Sequence, residues 1–351
     1  MGLNKRLISQ ETAPAGASVV NTENFAPKLY SGNGTSATSI NTITGLGFQP
    51  DLVWIKNRDN ANSHFLTDSV RGAGNYLLSD STNAEDSTSR FNSFNSDGFT
   101  VSTDTNLLNN SSYDYVAWCF KGGGAAVSNT DGSITSTVSA NQDAGFSIVK
   151  YSGQSGTQTI GHGLDSAPEM IFIKTINASN SNDWTVYNIS LGNNKRIYLD
   201  ETSASVSTGA FNNTSPTSDV FSVGNGYLEL NYAGSDYIAY CFHSVDGYQK
   251  VGSYTGNATS GNVVTTGFRP RFVIIKGVSG TSAATNWTMV DSVRDTGTVI
   301  DKIIYANLSN AETDFNNARA VEFTDTGFEL YSTGSDDLND SSTTYIYLAI
   351  A

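Results

Sequence analysis

One phrase occurs three times in this chain, and it constrains the fold more than any other feature. "GFQPDLVWIK" runs from Gly47 to Lys56, "GLDSAPEMIFIK" from Gly163 to Lys174, and "GFRPRFVIIK" from Gly267 to Lys276. The flanking landmarks keep their order in all three copies. "FAPKLYSG" at Phe25, "FSIVKYSG" at Phe146 and "YQKVGSYTG" at Tyr248 precede it. "HFLTD" at His64, "WTVYN" at Trp184 and "WTMVD" at Trp287 follow it. "SDGFTV" at Ser96, "GNGYLEL" at Gly224 and "TDTGFEL" at Thr324 come next. Each copy closes on an apolar run, "YVAWCF" at Tyr115, "YIAYCF" at Tyr237 or "YIYLAI" at Tyr345. A period of about one hundred residues lies in the range of small all-β domains.

The expected organisation is an N-terminal arm over 1–24, a first β-sandwich over 25–122 and a Gly/Ser/Thr-rich linker over 123–142. A second sandwich covers 143–245 and a third 246–351. The spaces between apolar runs are filled with Gly, Ser, Thr and Asn, which favour turns and disfavour helix interiors. No stretch sustains a 3.6-residue apolar period. Within the phrase, Gly47 and Gly267 suit a sharp turn, and Pro50 and Pro270 an extended entry. Side chains alternate along a strand, so Leu52 and Trp54 share one face, Val53 and Ile55 the other. Asp51 and Lys56 are expected to mark its wet ends. Both faces are apolar, so each needs a cover: the sandwich core on one side, and a helix, a loop or a neighbouring chain on the other.

Composition narrows the function. The chain is 38% hydrophobic and 15% charged, with a net charge of -14. No unit is basic, which disfavours a nucleic-acid partner. No apolar run approaches the roughly 18 residues of a spanning helix, so no membrane insertion is expected. "MGLNKRLISQ" lacks an apolar core of signal-peptide length.

Candidate sites are few. Cys119 and Cys241 fall at one place in two copies, where the third has Ala349; this suits a small buried thiol rather than a disulfide. His64, His162 and His243 occupy different places and form no metal-ligand spacing. The polar pattern that recurs is "DSVR": Asp68 and Arg71 return as Asp291 and Arg294, while the middle copy has Asn188 and Leu191. A pair three residues apart ties a turn through charge-assisted hydrogen bonds, and the alternative is recognition of a sugar or charged ligand. The acids of "TNAED" and "SNAETD", Glu85, Asp86, Glu312 and Asp314, read as solvated loop acids, with a hard cation as the alternative. No catalytic residues, cofactor or metal centre are expected.

The combination of "GFQPDLVWIKNRD", "HFLTDSVRG", "SDGFTV" and "YVAWCFKGGG" resembles a repeat family of structural proteins in tailed bacteriophages, particularly phages of marine bacteria and cyanobacteria. The resemblance covers nearly everything after Asn24. It implies jelly-roll or concanavalin-like sandwiches and a place on the virion, in a protein made in the bacterial host cytoplasm. A tail or fibre component is the leading expectation, attached to other virion proteins through the arm and assembled as a homo-oligomer, a trimer for instance. A capsid decoration protein or head fibre, and a module binding host surface glycan, are the alternatives. A polysaccharide-degrading enzyme is disfavoured, because no repeated carboxylate pair has a fitting context.

Overall fold

The computed structural model describes residues 23–36, 38–102, 106–177, 182–280, 284–331 and 338–351. Among them there are 29 strands and no helix. The expected arm, 1–24, lies outside the described residues except for Glu23 and Asn24.

The same six-strand order recurs three times. In the first unit it is Phe25–Ser31, Asp114–Phe120, Leu52–Asn57, Phe65–Asp68, Asn75–Leu77 and Asp86–Ser87. The second repeats it from Phe146–Ser152 through Asp236–Phe242 and Met170–Thr175 to Val206–Ser207. The third runs from Gln249–Thr255 through Thr344–Ile350 and Phe272–Ser279 to Thr313–Asp314. The closing apolar strand therefore sits second in each six-strand set, between the first strand of that set and the strand of the repeated phrase. A smaller antiparallel sheet accompanies each large one. It contains Ile40–Thr44 and Gly98–Ser102 in the first unit, Gln158–Gly161 and Val220–Val223 in the second, and Asn262–Thr265 and Gly327–Leu330 in the third. The fold is all-β, multi-unit and sandwich-like.

Local chemistry repeats with the topology. Gly47, Gly163 and Gly267 take φ of 80°, 71° and 93°, a region that residues with a Cβ rarely enter. Paired tyrosines lock the end of each large sheet. Tyr30 stacks on Tyr115 at 5.0 Å, Tyr151 on Tyr237 at 5.1 Å, and Tyr254 on Tyr345 at 5.0 Å. The first of each pair donates its hydroxyl to the carbonyl of Leu108, Leu230 or Leu338. A buried tyrosine hydroxyl needs such a partner, and the loop before each closing strand supplies it.

The segment expected as a linker, 123–142, is a correction. It forms strands Val127–Asn129 and Ser136–Asn141, which extend the second unit's large sheet beyond Phe146–Ser152. Its Ser and Thr content suggests a loop, but Ile134 and Val138 are spaced to point inward and join the second unit's core. Once those two are buried, Thr135 and Thr137 fall on the exposed side, while Ser136, buried between them, donates its hydroxyl to the Gly161 carbonyl.

The strand of each repeated phrase is covered on both sides. Val53 and Ile55 pack with Ile43, Phe99 and Val101 inside the first sandwich. Ile171 and Ile173 do the same in the second. The opposite faces meet each other. Leu52 and Trp54, Met170 and Phe172, and Phe272 and Ile274 belong to one cluster shared by all three units. The second face is thus covered by the other two units of the same chain, not by a helix, a loop or a second chain. Only a gap of about 20 Å³ remains at the centre, between Trp54, Phe120, Phe172, Phe242, Ile274 and Leu348. Asp51 and Lys56, expected at wet strand ends, are both buried. Both find partners inside their own unit: Asp51 accepts from Ser69 and the Gly122 N–H, and Lys56 donates Nζ to the Asn57 carbonyl.

Cys119 and Cys241 are free, fully buried thiols, each on the sandwich side of its closing strand. Burial holds both thiols far above their ordinary pKa, so neither is a ready nucleophile. Ala349 is buried at the same position of the third unit. Replacing both cysteines by alanine is expected to lower stability by about 1–2 kcal/mol in urea unfolding. A Cys119–Cys241 disulfide detected by mass spectrometry would overturn this reading.

Candidate functional site

The residues singled out by repetition converge on the seams between units. The fifth residue of each closing strand, Trp118, Tyr240 or Leu348, faces the central cluster. At the seam of the first and second units, Tyr240 donates its hydroxyl to Oδ2 of Asp68 at 2.8 Å. Arg71 donates Nε to the same oxygen at 2.6 Å, and its Nη1 to Glu85 at 3.0 Å. Its Nη2 reaches the Leu66 carbonyl and the Tyr240 hydroxyl. The other oxygen of Asp68 accepts the backbone N–H groups of Val70 and Arg71. This short loop is thereby capped by the carboxylate that also pairs the guanidinium.

The seam of the third and first units repeats the design with a different partner. Trp118 donates Nε1 to Oδ2 of Asp291 at 3.0 Å, and Arg294 donates Nε to that oxygen at 2.6 Å. The Arg294 guanidinium lies 5.7 Å from the Trp118 ring centroid, a cation–π distance. Its Nη1 meets Glu312 at 3.1 Å, and Glu312 also receives two bonds from Arg58 of the first unit, at 2.7 and 3.0 Å.

The remaining seam shows why the middle copy lacks the pair. Leu348 stands where Tyr240 and Trp118 stand, and its side chain has no donor to offer the Asn188 position. Asn188 replaces the aspartate, its oxygen capping Ser190 while its Nδ2 is buried without a hydrogen-bond partner. Leu191 replaces the arginine and packs on the central cluster. Three positions have changed together, from charged and polar to mostly apolar.

Further contacts follow the same cyclic order. Trp184 donates Nε1 to the Leu78 carbonyl of the first unit at 2.9 Å, and Trp287 to the Tyr198 carbonyl of the second at 2.8 Å. Lys174 reaches the Thr82 carbonyl, and Lys276 the Thr202 carbonyl, at 2.8 and 2.7 Å. Backbone bonds from Glu85 to Ile176, Ser205 to Val278 and Glu312 to Arg58 complete the ring. Burial pushes Lys56 and Lys174 down to about 8. Burial also works against the Arg71 charge, but Asp68, Tyr240 and Glu85 outweigh it and hold that guanidinium above its usual range.

Asp68, Arg71, Asp291 and Arg294 are all buried; their polar atoms are spent on one another and on their own unit, and the neighbouring unit joins them through Tyr240 and Trp118. Glu85 and Glu312 serve arginines, Asp86 takes the Tyr76 hydroxyl, and Asp314 caps Asn316. Among the described residues no group of three or more His, Cys, Asp or Glu side chains could hold a metal ion. The sequence reading missed Trp118, Tyr240, Lys174 and Lys276 as seam residues. Their recurrence at one position of an aligned motif was the available signal.

An open polar cleft of about 680 Å³ lies where the first and second units join. Its lining includes Asn24, Gln49, Asp51, Lys121, Asn141 and Asp143. Burial pushes Asp51 up, against hydrogen bonds from Ser69 and the Gly122 N–H.

The molecule is thus a single-chain all-β protein whose three units close cyclically on a shared core. The family described as a domain of unknown function, DUF7483, matches residues 21–351, and the chain belongs to it. That one match runs through all three units, as expected if the closed set is the inherited unit. No curated protein and no solved structure matches the chain.

Proposed function

We propose that this protein is a structural component of a bacteriophage virion, a tail or fibre part that carries a rigid β-block outward from the particle. The observation that supports this reading is how the repeated polar residues are used. Asp68, Arg71, Asp291, Arg294 and their partners join units to one another and do not converge on an open cavity. The sequence resemblance to tailed-phage repeat proteins supplies the virion context. A capsid decoration protein or head fibre is the neighbouring possibility in the same class. Attachment is assigned to the arm, 1–24, acting on other virion proteins. A homo-oligomer, a trimer included, would have to form on surfaces other than the central faces, which the chain covers itself.

A host-glycan-binding role is the second reading, favoured by the open amide- and acid-lined cleft at the first junction. Such a lining offers donors and acceptors to hydroxyls. Gold-labelled antibody against the protein should decorate purified particles at a fixed location. Deleting residues 1–20 should leave the block folded and abolish its incorporation. Particles free of label would sink the virion reading, and normal incorporation of the truncated chain would move attachment to the sandwiches. Binding to host polysaccharide that is lost in Gln49→Ala/Asp143→Ala would favour the glycan role.

A further inference from the structure

We propose that His64 is a pH-operated latch on the seam between the first and third units. The chain itself crosses from the first unit to the second and from the second to the third. The first and third units meet without such a crossing, and there the cyclic pattern changes one residue. Trp184 and Trp287 hold the other two seams through indole N–H bonds to carbonyls. The equivalent residue of the first unit is His64, whose Nε2 lies 3.0 Å from the Tyr305 carbonyl of the third unit. An indole cannot titrate near neutral pH; an imidazole can.

The surroundings fix which form of His64 closes the seam. Trp54 donates Nε1–H to Nδ1 of His64 at 2.8 Å. An indole nitrogen only donates, so Nδ1 must be an unprotonated acceptor. The single proton of the neutral ring then sits on Nε2 and points at the Tyr305 oxygen. Both ring nitrogens are satisfied, and the ring, fully buried, lies roughly parallel to Trp118 at 6.5 Å. Adding a proton places an N–H on Nδ1 against the N–H of Trp54. The buried cation also faces Lys56 of its own unit and Arg294 of the third. Acids face the same region: Asp80 accepts the His64 backbone N–H, Asp291 accepts Trp118, and Glu312 pairs with Arg294 and Arg58. The hydrogen bonds of the ring nitrogens go to Trp54 and Tyr305, not to these acids.

The direction follows from linkage. Burial first, then Lys56, holds His64 well below its ordinary pKa in the closed molecule. The stability this gives is fully present above about pH 6.5 and is lost as pH falls through the folded value. An opened seam solvates the ring and removes both the donor clash and the cation repulsion. Acid therefore opens this seam before the two that tryptophan holds.

Hydrogen exchange on the full chain reads the seams separately. The Glu312 amide bonds to Arg58 across the latch seam, and the Ser205 amide bonds to Val278 across the second–third seam. After correction for intrinsic rates, lowering the pH from 7 to 4.5 should reduce protection at Glu312 by at least about tenfold relative to Ser205, because each pH unit below the opened ring's ordinary pKa of about 6.5 costs about a factor of ten while the closed ring stays neutral. His64→Gln keeps an acceptor for Trp54 and a donor for Tyr305 but cannot titrate, so its ratio should stay within about twofold. Equal loss in wild type and His64→Gln would assign the effect to groups other than His64 and overturn the latch. An unchanged wild-type ratio would overturn it too. If His64→Gln fails to fold, His64→Trp serves as the second non-titrating variant. Nitrogen-15 NMR of the histidine rings tests the wild type directly: a proton on Nδ1 at neutral pH contradicts the proposed geometry.

Discussion

Replacing Asp291 by alanine is expected to destabilise the protein by about 3–5 kcal/mol, because it leaves the Arg294 guanidinium buried without its main counter-charge. Trp118 loses its acceptor in the same step, and the backbone N–H groups of Val293 and Arg294 lose their cap. Urea unfolding should report the loss as a lower midpoint with an unchanged slope. The middle copy supplies the control. Asp68→Asn, Arg71→Leu and Tyr240→Leu together install at the first seam the chemistry already present around Asn188, Leu191 and Leu348. That triple variant should be markedly more stable than Asp68→Ala alone, since buried ion pairs exchange for apolar residues at little net cost while half-removed pairs do not. A triple variant no better than the single one would show that the pairs position the seam in a way leucine cannot.

Ending the chain after Asp246 is expected to have the larger effect. It removes the third unit and uncovers faces that now meet only protein. Phe25 and Trp118 lose Phe272, at 5.5 and 5.9 Å, and Phe172 loses Trp287, at 5.9 Å. Contiguous apolar surface of that kind drives association. The truncated protein should aggregate or self-associate in size-exclusion chromatography with light scattering, and bind a hydrophobic dye. A monodisperse, dye-free monomer would mean that the units are independent beads and that the shared cluster is incidental.

Much of this was legible in the sequence. The repeated Gly, Pro and apolar signals marked the same strand three times, and period-two alternation gave that strand two apolar faces. What covered the second face was not legible, because Trp54 or Phe172 carries no address for its partner. Lys56 shows the same limit. A lysine at a strand end is ordinarily solvated, and here it is buried, turned back onto the Asn57 carbonyl and within reach of the charge of Glu312 in the third unit. The Asp–Arg pattern was visible as a repeat, but its meaning depended on Trp118 and Tyr240, which read as core residues of another element. The strands within 123–142 were obscured by composition, although Ile134 and Val138 already carried the spacing of an inward face.

The three seams are now chemically distinct: tyrosine on an Asp–Arg pair, leucine beside asparagine, and tryptophan on an Asp–Arg pair with a histidine nearby. Three separate identical chains could not be built this way, since every substitution in a symmetric trimer appears at all its interfaces at once. Joining the copies in one polypeptide removes that constraint. One interface can change its chemistry while the other two keep theirs, and a body of nearly threefold shape acquires a distinguishable side. On a symmetric support, such a body can present one chosen edge outward rather than three interchangeable ones.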